Sequence, residues 1–251
     1  IDDTEYLKAI TLISVNGIHP DTSALFKETL LCFKDGEAST YVFNNGLKKK
    51  GIHAASLAYA YPTVTNLVLN YSLKMGFKLF YLFGVDLGFI DINQHHSQYS
   101  SYYKADGSQA YNYQARHGGG VPAKGNFRVS VYTKPEFDVS RKLLEQAISK
   151  AGRKVEIYNC SDGVKINGTV SLQAENILLP QLNIDKDIAY QDLLEHAYYP
   201  EVSQFADEIF NRFDPEIFKN TMAEWQQLLA EDIINQEDAK ALIAAQWTLL
   251  K

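Results

Sequence analysis

The run from Phe77 to Phe89, Phe-Lys-Leu-Phe-Tyr-Leu-Phe-Gly-Val-Asp-Leu-Gly-Phe, constrains this chain more than any other stretch. Its apolar part, Leu79 to Val85, lacks the alternation of a half-buried strand. That predicts a strand covered on both faces, as in the interior of a parallel sheet. The run ends in Gly84 and Asp86 and opens into a long polar segment, 86–125. Open α/β sheets bind ligands just outside the carboxyl ends of their strands, so chemistry is expected at this rim.

The flanking periodicity alternates. Ile10 to Val15, closed by Asn16-Gly17, reads as a strand, and Thr40 to Phe43, ahead of Asn44-Asn45-Gly46, reads as another. Thr63 is placed to cap a helix with Val64, Leu67, Val68, Tyr71 and Met75 on its apolar face, stopped by Gly76. Phe127 to Tyr132 and Val155 to Tyr158 read as strands. Between them Asp138 caps a helix with Val139, Leu143, Leu144, Ala147 and Ile148 on one face, ended by Gly152. Val164 to Leu172 reads as a hairpin. The alternation over 62–158 predicts an α/β fold: a Rossmann-like, mostly parallel sheet flanked by helices. After Pro180 only helical patterns remain, with Pro200 and Pro215 at first-turn positions and apolar faces supplied by Leu228, Leu229, Leu242, Ile243, Trp247 and Leu250. The expected division is a Rossmann-like domain over 1–182 and a helical C-terminal region over 183–251.

Composition removes several classes. The net charge is −6 and Lys48-Lys49-Lys50 is the only basic block, so no nucleic-acid partner is expected. Cys32 and Cys160 have no metal-ligand spacing and read as reduced thiols of a cytoplasmic protein. No apolar run approaches the ~20 residues of a membrane span. The chain opens at Ile1 without an initiator methionine and reads as a fragment.

The chemistry-bearing residues cluster after the central strand. Gly84 permits close backbone approach and Asp86 can accept hydrogen bonds from a sugar; equally, the pair can serve a local turn. His95 and His96 are candidates for a general base, or are solvated loop residues. Tyr99, Tyr102, Tyr103, Tyr111 and Tyr113 can donate to a departing phosphate or stack on a sugar or base, or they pack the loop on itself. Asn159-Cys160-Ser161-Asp162-Gly163 closes a later strand and either shapes a ligand pocket or forms an Asx turn. Cys160 has no basic neighbour to activate it. Gly118-Gly119-Gly120 lacks the pattern and strand-to-helix context of a phosphate loop. Arg116, Arg128 and Arg141 are weak clamp candidates. A metal site joining a histidine to Asp86 or Asp91 has no supporting spacing.

Several of these words together resemble the motility accessory factor family: Tyr61-Pro62-Thr63-Val64-Thr65-Asn66, Gly76-Phe77-Lys78 into Tyr81 to Phe89, Ser101-Tyr102-Tyr103, Ser140-Arg141 with Leu144-Glu145, and Tyr158 to Gly163 with Lys165-Ile166-Asn167-Gly168. The resemblance covers 55–175. It implies a 6-hydroxymethylpterin diphosphokinase-like domain and a bacterial flagellin glycosyltransferase. Such an enzyme moves a nonulosonic acid, pseudaminic or legionaminic, from a CMP-activated donor to flagellin serine or threonine. A fainter likeness to bacterial sialyltransferases makes Asp86, Tyr99, Tyr102 and Tyr103 donor-site candidates. Those enzymes carry a base histidine near the start of a following helix, and Val131-Tyr132-Thr133-Lys134 offers none here. His95, His96 or His117 is then the base, or the base lies outside this chain. The family's glycine-rich nucleotide turn is also missing, so the chain is expected to begin mid-domain.

The resulting expectation is an inverting glycosyltransferase, with His95 or His96 as base and Tyr102 and Tyr103 donating to the phosphate. Gly84, Asp86, Tyr99, Asn159, Ser161, Asp162 and Gly163 shape the donor pocket. The expected partners are flagellin and a nucleotide-activated sugar; no metal and no cofactor are called for beyond the CMP-sugar substrate. The alternatives are a pterin diphosphokinase using ATP and Mg²⁺, and a non-catalytic module that docks flagellin through the helical tail.

Overall fold

The computed structural model describes residues 4–49, 51–92, 96, 99–110, 120–179, 184–198 and 214–249. In chain order the elements are β1 (Thr11–Val15), α1 (Pro20–Ser23), β2 (Glu28–Lys34), α2 (Ala38–Lys49), β3 (Ser56–Leu57), α3 (Val64–Lys74), β4 (Leu79–Leu82), β5 (Val121–Lys124), β6 (Ser130–Thr133), α4 (Pro135–Ala151), β7 (Glu156–Asn159), β8 (Val170–Ser171), α5 (Lys186–Ala197), α6 (Pro215–Leu229) and α7 (Gln236–Leu249). Strands β1, β2 and β3 form one parallel sheet, and β4, β7 and β8 form another. Helices flank both, so the expected Rossmann-like α/β class is the one observed.

Helix α3 joins the two sheets. Its Leu69 packs with Leu82, Val85, Leu87, Leu144, Ile148, Ile157 and Ile166, the core between α3, α4 and the β4–β7 pair. Its Leu67 packs with Leu57 and Ala60, against Val15 and Cys32 of the first sheet and Tyr71 of α3 itself. Thr63 caps α3 as the sequence suggests, but the helix is rotated from the expected face. Val64 and Val68 are 73% and 55% exposed, while Asn66 and Asn70 point inward. The reason is a polar lock. Asn66 Oδ1 accepts from Thr63 Oγ1 at 2.7 Å and Ser140 Oγ at 2.6 Å, and Asn66 Nδ2 donates to the Ser140 carbonyl at 3.1 Å. Asn66 and Ser140 are fully buried, so these bonds dictate which side of α3 meets α4.

Four other expectations are corrected. Thr40 to Phe43 lies inside α2; buried Thr40 and Leu47, seven apart, mark a helical face. The second strand is instead Glu28–Lys34, which pairs with β1 along its length and reaches β3 at its end. Tertiary pairing outweighs the β-propensity of Thr-Tyr-Val-Phe. Strand β6 does not enter the parallel sheet but pairs antiparallel with β5, a strand inside the segment expected to be loop. The connection from Gly125 to Val129 is too short for a parallel crossover. Helix α4 begins at Pro135, with Lys134 as N-cap, rather than after Asp138. Within Val164 to Leu172 the chain forms no hairpin, because β8 runs parallel to β7.

The words Ser140-Arg141, Leu144-Glu145 and Lys165 to Gly168 also have a structural role. Arg141 is clamped by Asp138 at 2.6 Å and Glu145 at 2.7 Å. Glu145 Oε1 in turn accepts from the Asn167 amide at 2.9 Å, holding that loop on α4.

After residue 184, α5 ties to the first sheet. Tyr190 donates to Glu28 Oε1 at 2.6 Å, and Tyr198 donates to the Tyr71 hydroxyl at 3.2 Å. Helices α6 and α7 pack on one another. Pro215 takes the first position of α6, as expected; Pro200 and the boundary near 182 lie outside the described residues.

Candidate functional site

Strands β4 and β7 finish side by side, with Leu82 opposite Asn159. Beyond Leu82 the chain turns at Gly84, φ +65, and passes Asp86 and Leu87; Leu87 has φ +46, a left-handed value rare for leucine. Beyond Asn159 it turns through Ser161 to Gly163. The two turns are stitched together. Ser161 Oγ accepts from the Val85 amide at 2.9 Å, and Asn159 Oδ1 accepts from the Ser161 amide at 3.1 Å. The Val164 amide donates to the Asp86 carbonyl at 2.8 Å. A side chain at Gly163 would place its Cβ 2.0 Å from the Asp86 carbonyl oxygen, so only glycine lets the main chains cross here.

Asn126, between β5 and β6, pins the hairpin to this rim. Its Nδ2 donates to the Asn159 and Ser161 carbonyls, both at 2.9 Å, and its amide donates to the Gly163 carbonyl at 2.8 Å. Its Oδ1 accepts from Ser171 Oγ at 2.7 Å. Asn159, Ser161 and Gly163 therefore build the rim from within, and the first two are buried. Among the described residues, Asn159 Nδ2 and Asp162 Oδ1 are buried without a hydrogen-bond partner.

Two groups at the rim face outward. Asp162 Oδ2 accepts from Arg128 Nε at 2.7 Å, an ion pair with both side chains about half exposed. Asp86 accepts no side-chain hydrogen bond among the described residues. Its side chain is open to solvent, yet the surrounding protein strips enough water to push its carboxyl above the usual carboxylate range, and the nearby Asp162 charge adds to this. The exposure keeps the energetic weight of this shift small.

A second cluster lies across a short bridge. Phe89 and Tyr132 exchange backbone hydrogen bonds at 2.8 Å, and Thr133 Oγ1 donates to the Leu87 carbonyl at 2.8 Å. The next residue is Lys134, 8% exposed, whose Nζ lies 3.3 Å from His96 Nε2. The His96 ring stacks on Tyr102 with centroids 3.9 Å apart and meets Phe137 edge-on. Its backbone amide donates to the Tyr103 hydroxyl at 3.4 Å. Burial lowers the Lys134 ammonium's pKa, and Glu136 pulls it partly back.

The structure thus brings His96, Tyr102 and Tyr103 together, and separately gathers Gly84, Asp86, Asn159, Ser161, Asp162 and Gly163. No hydrogen bond among the described residues joins His96 to Asp86 or to 159–162. Tyr99 is 91% exposed. His95, Tyr111, Tyr113, Arg116, His117, Gly118 and Gly119 lie outside the described residues. Arg141 is committed to its carboxylates, and burial pushes the Cys160 thiol up, away from reactivity. Among the described residues no group of three or more His, Cys, Asp and Glu is placed to hold a metal, and no helix is long and apolar enough to cross a membrane. Lys134 and Asn126 went unrecognised in the sequence. The signal for Lys134 was its place at a strand's carboxyl end, directly before a proline that opens a helix.

No family model and no curated protein sequence matches the chain. Its structure is similar to that of the MAf glycosyltransferase from Magnetospirillum magneticum AMB-1, with a TM-score of 0.65 and 25% identity. The likeness covers 96% of this chain and 34% of the other, so the chain spans about a third of that protein's length.

Proposed function

We propose that this chain serves glycosyl transfer of the motility accessory factor kind, moving a nonulosonic acid from a CMP-activated donor to serine or threonine of flagellin. The observation that carries the reading is the structural likeness to a MAf glycosyltransferase along 96% of the chain. That likeness adds nothing to the pterin diphosphokinase alternative or to the sialyltransferase comparison.

The rim supports the chemistry. In an inverting displacement the acceptor hydroxyl loses its proton to a base as its oxygen bonds to the anomeric carbon. The bond to the donor phosphate breaks, and its electron pair leaves with CMP. Asp86 is the base this geometry favours. It is open to solvent, makes no side-chain hydrogen bond among the described residues, and its raised pKa moves it toward the operating pH. Tyr102 and Tyr103 supply hydroxyl donors for the departing phosphate.

The test incubates the protein with CMP-activated pseudaminic or legionaminic acid and flagellin, and reads flagellin mass. Wild type adds the sugar mass; Asp86→Asn lowers the rate by ~100-fold or more, and Tyr102→Phe by ~10-fold. Absence of any mass gain with wild type would overturn the transfer reading, and full activity in Asp86→Asn would remove Asp86 as base.

A further inference from the structure

The first sheet ends in a polar rim of its own, which the transfer chemistry does not use. Asn16 follows β1, Asp35 follows β2, and α2 starts at Ala38. The three strand ends are tied together there. The Asn16 amide donates to the Cys32 carbonyl and the Asp35 amide to the Leu57 carbonyl, both at 3.2 Å, and the Ser56 hydroxyl of β3 donates to the Asp35 carboxylate. Asn16 Nδ2 donates to Ser39 Oγ at 2.7 Å, which seats the first turn of α2 by the end of β1. A Cβ added at Gly17 or Gly36 would meet no atom within 4 Å, so the mouth beside these glycines is open.

Hydrogen-bonding groups go unused inside it. Among the described residues the amides of Ala38, Ser39 and Thr40 meet no acceptor, the condition of a helix start without a cap. Thr40 is 4% exposed and its Oγ1 has no partner among the described residues; Asn16 Oδ1 is likewise buried and unpartnered. Side chains on a helix lean toward its N-terminus, so the Thr40 hydroxyl is carried to the mouth where those amides point. A buried hydroxyl left unsatisfied costs free energy that a bound partner offsets.

Charge decides the kind of partner. Glu37 is paired with Lys34, but Asp35 makes no ion pair among the described residues, and its carboxylate repels an anion. The open amides at the positive end of the helix dipole repel a cation. A hydroxyl accepts and donates without carrying charge. We propose that this rim binds the vicinal diol of a sugar, whose hydroxyls donate to Asp35 and Asn16 Oδ1 and accept from the Thr40 hydroxyl and the first α2 amides. Asp35 stands about 20 residues after Asn16 at the end of the neighbouring strand, the placement from which an acidic residue holds ribose hydroxyls in dinucleotide-binding sheets. A nucleoside and a glycan offer the same chemistry. The inference does not rest on the transfer reading.

The experiment titrates the whole chain with cytidine, 2′,3′-dideoxycytidine and methyl α-D-mannopyranoside and follows ¹H–¹⁵N spectra. The Ser39 and Thr40 amides and the Asn16 side-chain amide are expected to move with a diol-bearing probe and to stay still with the dideoxynucleoside. A response to cytidine alone identifies a nucleoside and a response to the mannoside a glycan; either supports the diol. No response to either, or an equal response to dideoxycytidine, overturns the proposal. Asp35→Asn keeps an oxygen for Ser56 and is expected to weaken the responding probe at least ~10-fold, and the isosteric Thr40→Val ~5-fold; unchanged affinity in both overturns it. Without probe, Thr40→Val should melt no lower than wild type, because the deleted hydroxyl had no partner. A fall of more than ~3 °C would mean that a resident water satisfies Thr40 and that the rim holds water only, which also overturns the proposal. Should Asp35→Asn not fold, Thr40→Val decides.

Discussion

Replacing Asn126 with alanine tests whether the rim is held by side-chain hydrogen bonds. The change deletes the donors to the Asn159 and Ser161 carbonyls, each bonded at 2.9 Å. Asn126 itself is 9% exposed, and Asn159 and Ser161 are 0% and 5% exposed, so water does not readily replace the lost amide. The Asn159 carbonyl keeps the Leu172 amide at 3.1 Å, so the carbonyl left without a donor is that of Ser161, and an orphaned buried carbonyl costs about 1–3 kcal/mol. The Ser171 hydroxyl keeps a second acceptor, the residue 126 carbonyl at 3.2 Å, and the residue 126 amide keeps Gly163. The net expectation is a loss of about 2 kcal/mol, within the usual range for one substitution. Urea unfolding would show it as a midpoint lowered by roughly 0.7 M or more. Hydrogen exchange should localise it, speeding at Val85 and Ser161 before the α4 amides. Asn126→Asp sharpens the test by aiming a carboxylate at the same carbonyls. Its folded pKa would be raised, so its penalty is full at neutral pH and shrinks as pH falls through that raised value. An alanine variant within about 1 kcal/mol of wild type, with unchanged exchange at Ser161, would refute the reasoning.

Two further outcomes follow from the same rim. Gly163→Ala drives a Cβ to 2.0 Å from the Asp86 carbonyl oxygen, where main chain meets main chain and nothing flexible can yield; a loss of ~3 kcal/mol or more is expected, and a melting temperature within about 2 °C of wild type would contradict it. Asp86→Asn removes a carboxyl whose folded pKa is raised. The native carboxylate is therefore a small liability above that pKa, relieved as pH falls toward the unfolded value, so the variant should be slightly more stable at pH 7, by less than about 1 kcal/mol, with the gain fading in acid. Equal stability curves for the two proteins would show that Asp86 is not destabilised in the fold.

The class of fold was readable from the apolar run at 79–85 and from the strand and helix patterns around it. Elements closed by strong local punctuation came out well: the Thr63 cap, Gly76 with φ +84, and Gly152 with φ +71. Pairing was the part local pattern could not supply. Thr40 to Phe43 has good strand residues yet forms helix, and β5 hid in a polar segment because Val-Pro-Ala-Lys carries little strand signal without its partner β6. At the site, residue types were legible but their direction was not. Asn159 and Ser161 looked like pocket linings; Asn159 Oδ1 and Ser161 Oγ turn toward main chain. The words that carry the family resemblance behave alike: Thr63, Asn66 and Ser140 form an interhelical lock, and Arg141 and Glu145 anchor a loop. Such words report a shared scaffold more directly than a shared substrate.

The tyrosines that fasten α5 to the first sheet bear on how this polypeptide can be subdivided. Glu28 takes its hydroxyl from Tyr190, and Tyr198 covers Cys32 and Tyr71. Trimming everything past residue 182 would bare a half-sunken thiol and leave a β2 carboxylate without its phenol, inviting misassembly of the remaining piece. A minimal unit for expression should therefore run past Tyr198, and the later helix pair is the segment to dispense with first.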